Sequence, residues 1–600
     1  MTHKNILVAA ILVLLAAAFV VHAVSLSFTQ DDAFISYRYV KNFLDGKGLV
    51  FNPGERVEGY TNFLFVILMT LFGKLGLDYI LFSKIVGIVS GLFLIGLSYF
   101  WGRQTELGEF GALSVPLLLA ANGVFAYWSI SGLETVLFSA LIFSGLYLAA
   151  RNNILFIPLL ALATLTRPEG GLVFLLILAY YLAARINTLK KVSFYLFIYA
   201  MLIAPQVLFR LFYYHDILPN PFYAKTGLSL EYLTAGVKYG ALFSKEYGFY
   251  GLILIVPITA FKLLSHEMRL LFSVNIIYIA YIIIVGGDVL HEHRFFVPIL
   301  ASLYLVFAYS TVVLLKRLFH RRTRLVGISF AVVLSLGAVA TFILPWSRLM
   351  ATREAEIALI NKMRTAAEIL NREIDWPYSL ATTTIGAVSY YSHAKIIDML
   401  GLTDRTIAKS PQTEIPGIES TWKERQYNIP YLMKLQPDFI LFSTSLKPSA
   451  PAERALFLSS KFREAYYPVL MTKPRLHIYK LKAGFFGDDR YETDPRFVNL
   501  YVDAINQYLS QNFDSAIVLA QESEQLAPND FYMVFNFMGE VRMAQGRPGD
   551  AKDILLKAFA LSKGYSVQAA LMLAQIYQGE GDLQKAAYYS KSAEIANRFK

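Results

Sequence analysis

Apolar runs of helix length, separated by short polar breaks, fill the chain as far as Pro345. Beyond it, apolar positions alternate with charged ones at the periods of helices and strands. Crossing a bilayer takes about 20 apolar residues. A first run covers residues 6–24. Others lie near 79–101, 110–128, 133–150, 153–167, 168–184, 192–212, 246–263, 269–286, 294–315 and 325–345, so eleven crossings are expected. The segment 61–75, TNFLFVILMTLFGKL, is apolar but short. Placing it in the outer interface sends Arg103, Arg151, the basic residues of 185–191 and 262–269, and Lys316, Arg317, Arg321, Arg322 and Arg324 to one face. The positive-inside rule makes that face cytoplasmic. The opposite face then holds 28–78, 130–135, 167–170, 213–245, 286–294 and everything after the last span.

The polar remainder has two sections. In 346–490, Glu354–Ile374 reads as helix, and Ser379–Val388, Pro437–Ser443 and Leu476–Leu481 read as strands, which predicts a small extracytoplasmic α/β domain. In 496–600, Ala516, Ala551 and Ala586 recur at equivalent places 35 residues apart, each after a helical segment ending near Asn512, Gly546 or Gly581. That period, with small residues where paired helices cross, is the tetratricopeptide pattern. Such an array binds a protein partner along its concave face or caps the α/β domain.

Composition agrees with the pattern. The chain is 56% hydrophobic and 16% charged, with mean hydropathy +0.46, whereas a soluble domain carries about 25% charged residues. The reading is a polytopic α-helical membrane protein with a membrane domain over 1–345. The net charge of +11 is accounted for by cytoplasmic-loop Lys and Arg, so no nucleic-acid partner is inferred. With no cysteine, disulfides, thiolate metal sites and cysteine nucleophiles are excluded. The first run follows Lys4 and lacks a clear small-residue cleavage site, so it reads as a retained helix.

Candidate chemistry gathers on the outer face. Asp31 and Asp32 open an amphipathic segment, where a carboxylate either caps the helix or serves as a general base at the membrane boundary. Arg38, Arg56, Arg167, Lys225, His291, His293 and Arg294 share that face with them. Singly, each cation is a headgroup contact. Together they frame a site for an anion, and Arg offers a planar fork for phosphate. Arg167, between apolar runs in LTRPEGG, requires a partner such as Glu169 or Glu134. Asp288, His291 and His293 raise the question of a divalent cation, but one loop with this content lacks a recognised ligand spacing. Tyr37, Tyr39, Tyr60, Tyr213, Tyr214 and Tyr223 suit an interfacial belt, with some placed to stack on a sugar ring.

The stretch DDAFISYRYVKNFLDGKGLVFNPGERVEGYTN resembles the first outer loop of the GT-C glycosyltransferases, in the branch that contains the mycobacterial terminal β-(1→2) arabinofuranosyltransferase. SGLET at 131–135, TRPEG at 166–170, LPNPFYAK at 218–225, GGD with HRFFVP at 286–298 and IIDMLGLTD at 396–404 are similar to that branch in the same order. The repeat tail departs from it. The resemblance implies a GT-C fold and transfer of a sugar from a polyprenyl-phosphate donor to a glycan, glycolipid or glycoprotein acceptor outside a bacterial inner membrane. It places the catalytic base on Asp31 or Asp32, with Asp31 preferred. Donor-phosphate contacts fall on Arg294, Lys225, Arg167, His291, His293 and Arg38, and substrate contacts on Glu58, Tyr60, Glu134, Asp288 and Asn220. A lipid-linked glycan ligase, and a transporter or assembly scaffold, remain the competing readings.

Overall fold

The computed structural model describes the chain except residues 1–2, 226–229, 321, 419–425, 473–474, 485–486 and 599–600. Arg321 of the expected cytoplasmic cluster therefore lies outside the described residues. The chain forms two compact units: Met1–Pro219 with Thr226–Ala358, and Asn220–Lys225 with Leu359–Lys600.

The first unit is helical. Among the described residues six helices are long and apolar enough to cross a bilayer: His3–Ser25, Tyr79–Gly102, Leu189–Tyr214, His266–Ile284, Arg294–Leu318 and Thr323–Glu373. Counting each of two bent pairs as one span raises the number to eight. This is a membrane protein, but not every expected crossing is a helix of spanning length. Thr135–Ala150, Phe156–Thr166 and Glu169–Ala183 have 16, 11 and 15 residues. At about 1.5 Å per residue, all three are shorter than a hydrocarbon core of about 30 Å. The 246–263 run is not one helix. Leu230–Glu246 and Phe249–Thr259 meet at 96°, where Phe249, Tyr250 and Gly251 all have positive φ. Hydropathy cannot register that turn, because every residue in it is apolar or glycine. The 110–128 run bends by 60° at Asn122, whose side chain accepts the Phe125 N–H at 2.7 Å and donates to Tyr304 at 2.8 Å.

Arg294–Leu318 is the post of this unit. Its apolar window is 89% buried, against 17% for Leu189–Tyr214. A helix apolar on all sides and buried on all sides packs against protein, not lipid. Its neighbours include Thr135–Ala150, His266–Ile284 and Leu252–Thr259, and Ser302 donates to Asn275 at 2.6 Å across one of these contacts. Segment 61–75 contributes the 12-residue helix Phe63–Lys74, which packs on Asp31–Leu44.

The second unit holds a five-stranded sheet in the order β2-β1-β3-β5-β4. The strands are β1 (Ser379–Thr382), β2 (Lys395–Asp398), β3 (Phe439–Leu441), β4 (Tyr466–Thr472) and β5 (Arg475–Leu481). β1 runs parallel to β2 and β3, pairing Ala381 with Ile397 and with Ile440. β5 is antiparallel to β3 and β4. The expected strand Ser379–Val388 stops at Thr382, and Gly386–Tyr391 is helical. A short apolar run does not reveal its period, and the expectation took helix for strand. β2 and β4 lie outside the expected strands, and β4 is the second edge of the sheet. β4 carries Pro468, which an edge strand tolerates.

Six helices follow, Arg496–Leu509, Phe513–Leu526, Tyr532–Ala544, Pro548–Leu561, Val567–Gly579 and Leu583–Ala596, packed as three successive hairpins. Ala516, Ala551 and Ala586 are buried at the crossings. One apolar core runs from the sheet into the helices, joining Phe457, Phe462 and Tyr479 to Tyr501, Phe531 and Leu573. The Arg463 side chain is 1% exposed and pairs with Asp530 at 2.8 Å. Asn597 exchanges two hydrogen bonds with the Leu470 backbone on edge strand β4, at 2.7 and 3.2 Å.

Candidate active site

The helix Asp31–Leu44 begins at the acidic pair. Gln30 precedes it with extended backbone and makes no side-chain cap bond, so both aspartates stand in the first turn. Their charge there suits the positive end of the helix dipole. Asp31 is buried at 8% exposure, and Asp32 is half-buried. The carboxylate that reaches the helix end comes from elsewhere. Glu356, on Trp346–Glu373 beyond the apolar Thr323–Ile343 stretch, accepts from the Gln30 side chain and the Asp31 backbone N–H. Burial first, then the charges of Asp31 and Asp32, push the Glu356 carboxyl up to about 7, against the pull of those hydrogen bonds. Three carboxyl groups therefore share one helix start.

Two motifs seat this helix. In SGLET, the Ser131 carbonyl accepts the Gln30 N–H at 2.8 Å. The Gly132 carbonyl accepts from Tyr37 at 2.9 Å. Gly132 has φ +84, and a Cβ there would stand 2.6 Å from the Tyr37 hydroxyl, so no other residue fits without displacement. Further along, Arg38 donates from Nε to the Phe51 carbonyl at 2.9 Å, and Asn42 donates to Val50 and Phe51. Arg38 thus supports the 45–62 loop, with its guanidinium 5.5 Å from the Phe51 ring. Glu58 pairs with Arg210. Burial raises its carboxyl against the pull of that guanidinium. Tyr60 meets the Tyr214 hydroxyl at 3.0 Å, and Tyr214 holds the Leu49 carbonyl at 2.7 Å. Glu58 and Tyr60, expected at substrate, here tie the loop to the end of Leu189–Tyr214.

A second network lies around Phe295. Arg167 donates to Glu134 at 2.8 Å and to Glu169 at 3.3 Å, and Asn62 holds the other Glu134 oxygen at 2.8 Å. Asn62 also bonds Ser36 of the Asp31–Leu44 helix, so the acidic helix and Arg167 belong to one hydrogen-bonded chain. Arg294 makes a fork with Asp288, Nε at 2.6 Å and Nη2 at 3.0 Å, and its guanidinium lies 5.6 Å from the Trp128 ring. Both guanidinium groups flank Phe295, at 5.4 and 5.8 Å. Neither arginine is an isolated cation. Their three carboxylate partners orient them and offset their charge, as a costly buried cation requires.

The remaining expectations scatter. His291 is exposed. His293 is buried against Glu246 at 3.3 Å, and burial holds its imidazole below the ordinary range, against the pull of that carboxylate. Asp288, His291 and His293 have separate surroundings, and among the described residues no group of three His, Cys, Asp or Glu side chains is arranged to hold a metal ion. Asn220 and Lys225 sit on a six-residue helix in the second unit. There Asn220 donates to the Gly401, Leu402 and Asp404 carbonyls at 2.7–3.2 Å. That loop is also tied by Asp398, which accepts the Thr403 and Leu400 N–H groups.

Sequence reasoning missed Glu356 and Arg210. Arg210 had a signal, since an arginine inside the apolar 192–212 run needs a partner. Glu356 had none: it is one Glu among several on a mixed helix, and only folding brings it to Asp31.

A family described as a domain of unknown function, DUF8728, matches residues 351–520, which include the sheet and most of the first helical hairpin. No curated protein matches the chain by sequence. Among solved structures, ArnT from Cupriavidus metallidurans bound to undecaprenyl phosphate aligns with TM-score 0.50 and 12% identity, over 81% of this chain and all of that one. The same protein in the apo state aligns with TM-score 0.50 and 13% identity. At that identity the likeness establishes a common fold: this chain folds as ArnT does over four-fifths of its length.

Proposed function

We propose that the protein is a membrane glycosyltransferase that moves a sugar from a polyprenyl-phosphate donor to a cell-envelope glycan, lipid or protein on the extracytoplasmic face of a bacterial inner membrane. The observation that carries this reading is the acidic pair at the buried first turn of Asp31–Leu44, tied through Ser36, Asn62 and Glu134 to a buried arginine. The ArnT-like fold supports it, and one of those ArnT structures holds undecaprenyl phosphate. The acceptor oxygen attacks the anomeric carbon opposite the phosphate, which inverts the centre. Its proton passes to Asp31 or Asp32. The bond from carbon to phosphate oxygen breaks, and its electron pair leaves with the lipid phosphate. Arg294, with Arg167, meets the charge growing on that phosphate. Asp288 orients the Arg294 fork, leaving Nη1 outside the pair. The sugar of the arabinofuranosyl branch is the first donor to try. In this reading residues 1–345 are catalytic, 346–490 form an extracytoplasmic domain, and 496–600 are three tetratricopeptide-like repeats.

The test is transfer of labelled sugar from polyprenyl-phosphate donors in membranes containing the full chain. Asp31→Asn and Asp32→Asn are compared with wild type. Loss of about 10²–10⁴-fold is expected for whichever aspartate is the base. Full transfer by both variants sinks the assignment.

A further inference from the structure

Next to the Arg294 fork lies an ionic cluster, two buried carboxylates on a half-buried Arg348, that the reaction above does not use. Arg348, on Trp346–Glu373, donates from Nη2 to Glu246 at 2.5 Å and to Glu292 at 3.0 Å. Thr352, one turn on, donates to the second Glu292 oxygen at 2.9 Å. The Trp128 indole N–H holds the Glu292 carbonyl at 2.6 Å. His293 Nε2 contacts Glu246 from the other side. Its ring is walled by Tyr239, Phe243 and Tyr247 at 5.0, 5.7 and 5.8 Å. The cluster therefore joins three places in the chain: the end of Leu230–Glu246, the 286–296 loop and the helix that also carries Glu356.

The backbone explains why a clamp is needed. Glu292 and His293 are consecutive residues with φ of 63° and 45°, a left-handed conformation that side chains other than glycine resist. Such strain persists only where the surroundings over-determine it. Here the side chains of both strained residues are held by the cluster, while the next residue, Arg294, points instead to Asp288 and Trp128. We propose that Glu246, Glu292 and Arg348 are positioning residues, an ionic clamp that fixes the left-handed turn at Glu292–His293 and so presents the Arg294 guanidinium to the departing phosphate. The proposal rests on the reading of Arg294 given above.

The charge balance makes the clamp testable. Two carboxylates face one guanidinium, with the His293 imidazole held below its ordinary range by burial and with Tyr127, Tyr239 and Tyr247 as the other titratable groups that feel them. Removing the cation leaves two adjacent buried carboxylates without their counter-charge. They relieve the repulsion by taking up protons, so the defect deepens as pH rises.

The experiment uses the full chain in lipid nanodiscs, comparing wild type, Arg348→Gln, Arg348→Lys and Arg348→Gln combined with Glu246→Gln. Hydrogen exchange is read over 286–296, and transfer is measured across neutral pH. Arg348→Gln is expected to exchange faster over that segment and to lose about 10²-fold in kcat/KM, as a displaced catalytic group does, with a steeper loss at alkaline pH. Arg348→Lys keeps the charge without the fork and shows a smaller loss in the same direction. The double variant recovers part of the loss and flattens its pH dependence. If Arg348→Gln keeps wild-type exchange over 286–296, or if its loss is the same at every pH, the clamp is wrong. If wild type transfers no sugar from any polyprenyl-phosphate donor, the functional reading falls. Exchange over 286–296 then still decides the clamp.

Discussion

Glu356 is the residue whose role depends most on its neighbours. A carboxyl pushed up from 4.5 to about 7 binds a proton in the folded state that the unfolded chain releases. Its stabilisation is complete below pH about 4.5 and is lost as pH rises through about 7. The shift corresponds to roughly 2 kcal/mol after allowance for its partial exposure. Glu356→Gln retains a group that accepts the Asp31 N–H and does not titrate. Thermal unfolding of that variant should lose less stability than wild type between mildly acidic and mildly alkaline pH. Parallel curves would mean that Glu356 does not carry this proton. Gly132→Ala tests the seat of the acidic helix. The new Cβ meets the Tyr37 hydroxyl in a backbone conformation that resists it. A stability loss of about 1–3 kcal/mol is expected, with transfer falling further than unfolding alone explains. Activity and melting temperature measured on one preparation separate the two effects.

Among the elements, hydropathy was a good guide to where helices lie and a poor guide to where they break. The turn at Phe249–Gly251 is written in apolar residues, so nothing in its polarity set it apart. The 61–75 segment was set aside as too short to span, and it is a 12-residue helix. In the second unit the small helix Asn220–Lys225 packs on Arg405–Lys409 and is anchored by the Asn220 side chain. Asn220→Ala leaves three backbone carbonyls without that donor, a cost of about 1–3 kcal/mol. Limited proteolysis should cleave this variant faster within 215–230, and an unchanged rate would show that the helix is held by packing alone.

Across the second unit, the repeat helices do not stand apart from the α/β domain. Their period gave the number of hairpins, and a cap on the α/β domain was one of the two roles expected of them. Val567–Gly579 packs on β4, Tyr467 meets Tyr565 at 4.8 Å, and Asn597 closes the β4 edge. An uncovered edge strand is an aggregation hazard, and the helices remove it. Ending the chain at Pro495 exposes Phe457, Phe462 and Tyr479, which share the repeat core. The truncated protein should aggregate on size-exclusion chromatography in detergent. A monodisperse, protease-resistant product would instead show that the sheet folds without the helices.

The sequence by itself determined the membrane class, the helical half, the 35-residue repeat and the Asp31–Asp32 stretch. Each is a local property, fixed by residue polarity, period or neighbouring residues. Only the tertiary structure decided which charges meet. Arg167 took Glu134 and Glu169, and Arg294 took Asp288. Arg210 took Glu58, and Arg348 took Glu246 and Glu292. A buried charge must find a counter-charge wherever the fold provides one, and chain order does not say where that is. For the same reason Asp31 and Asp32 could be singled out from the sequence, while Glu356, which meets them from a distant helix, could not.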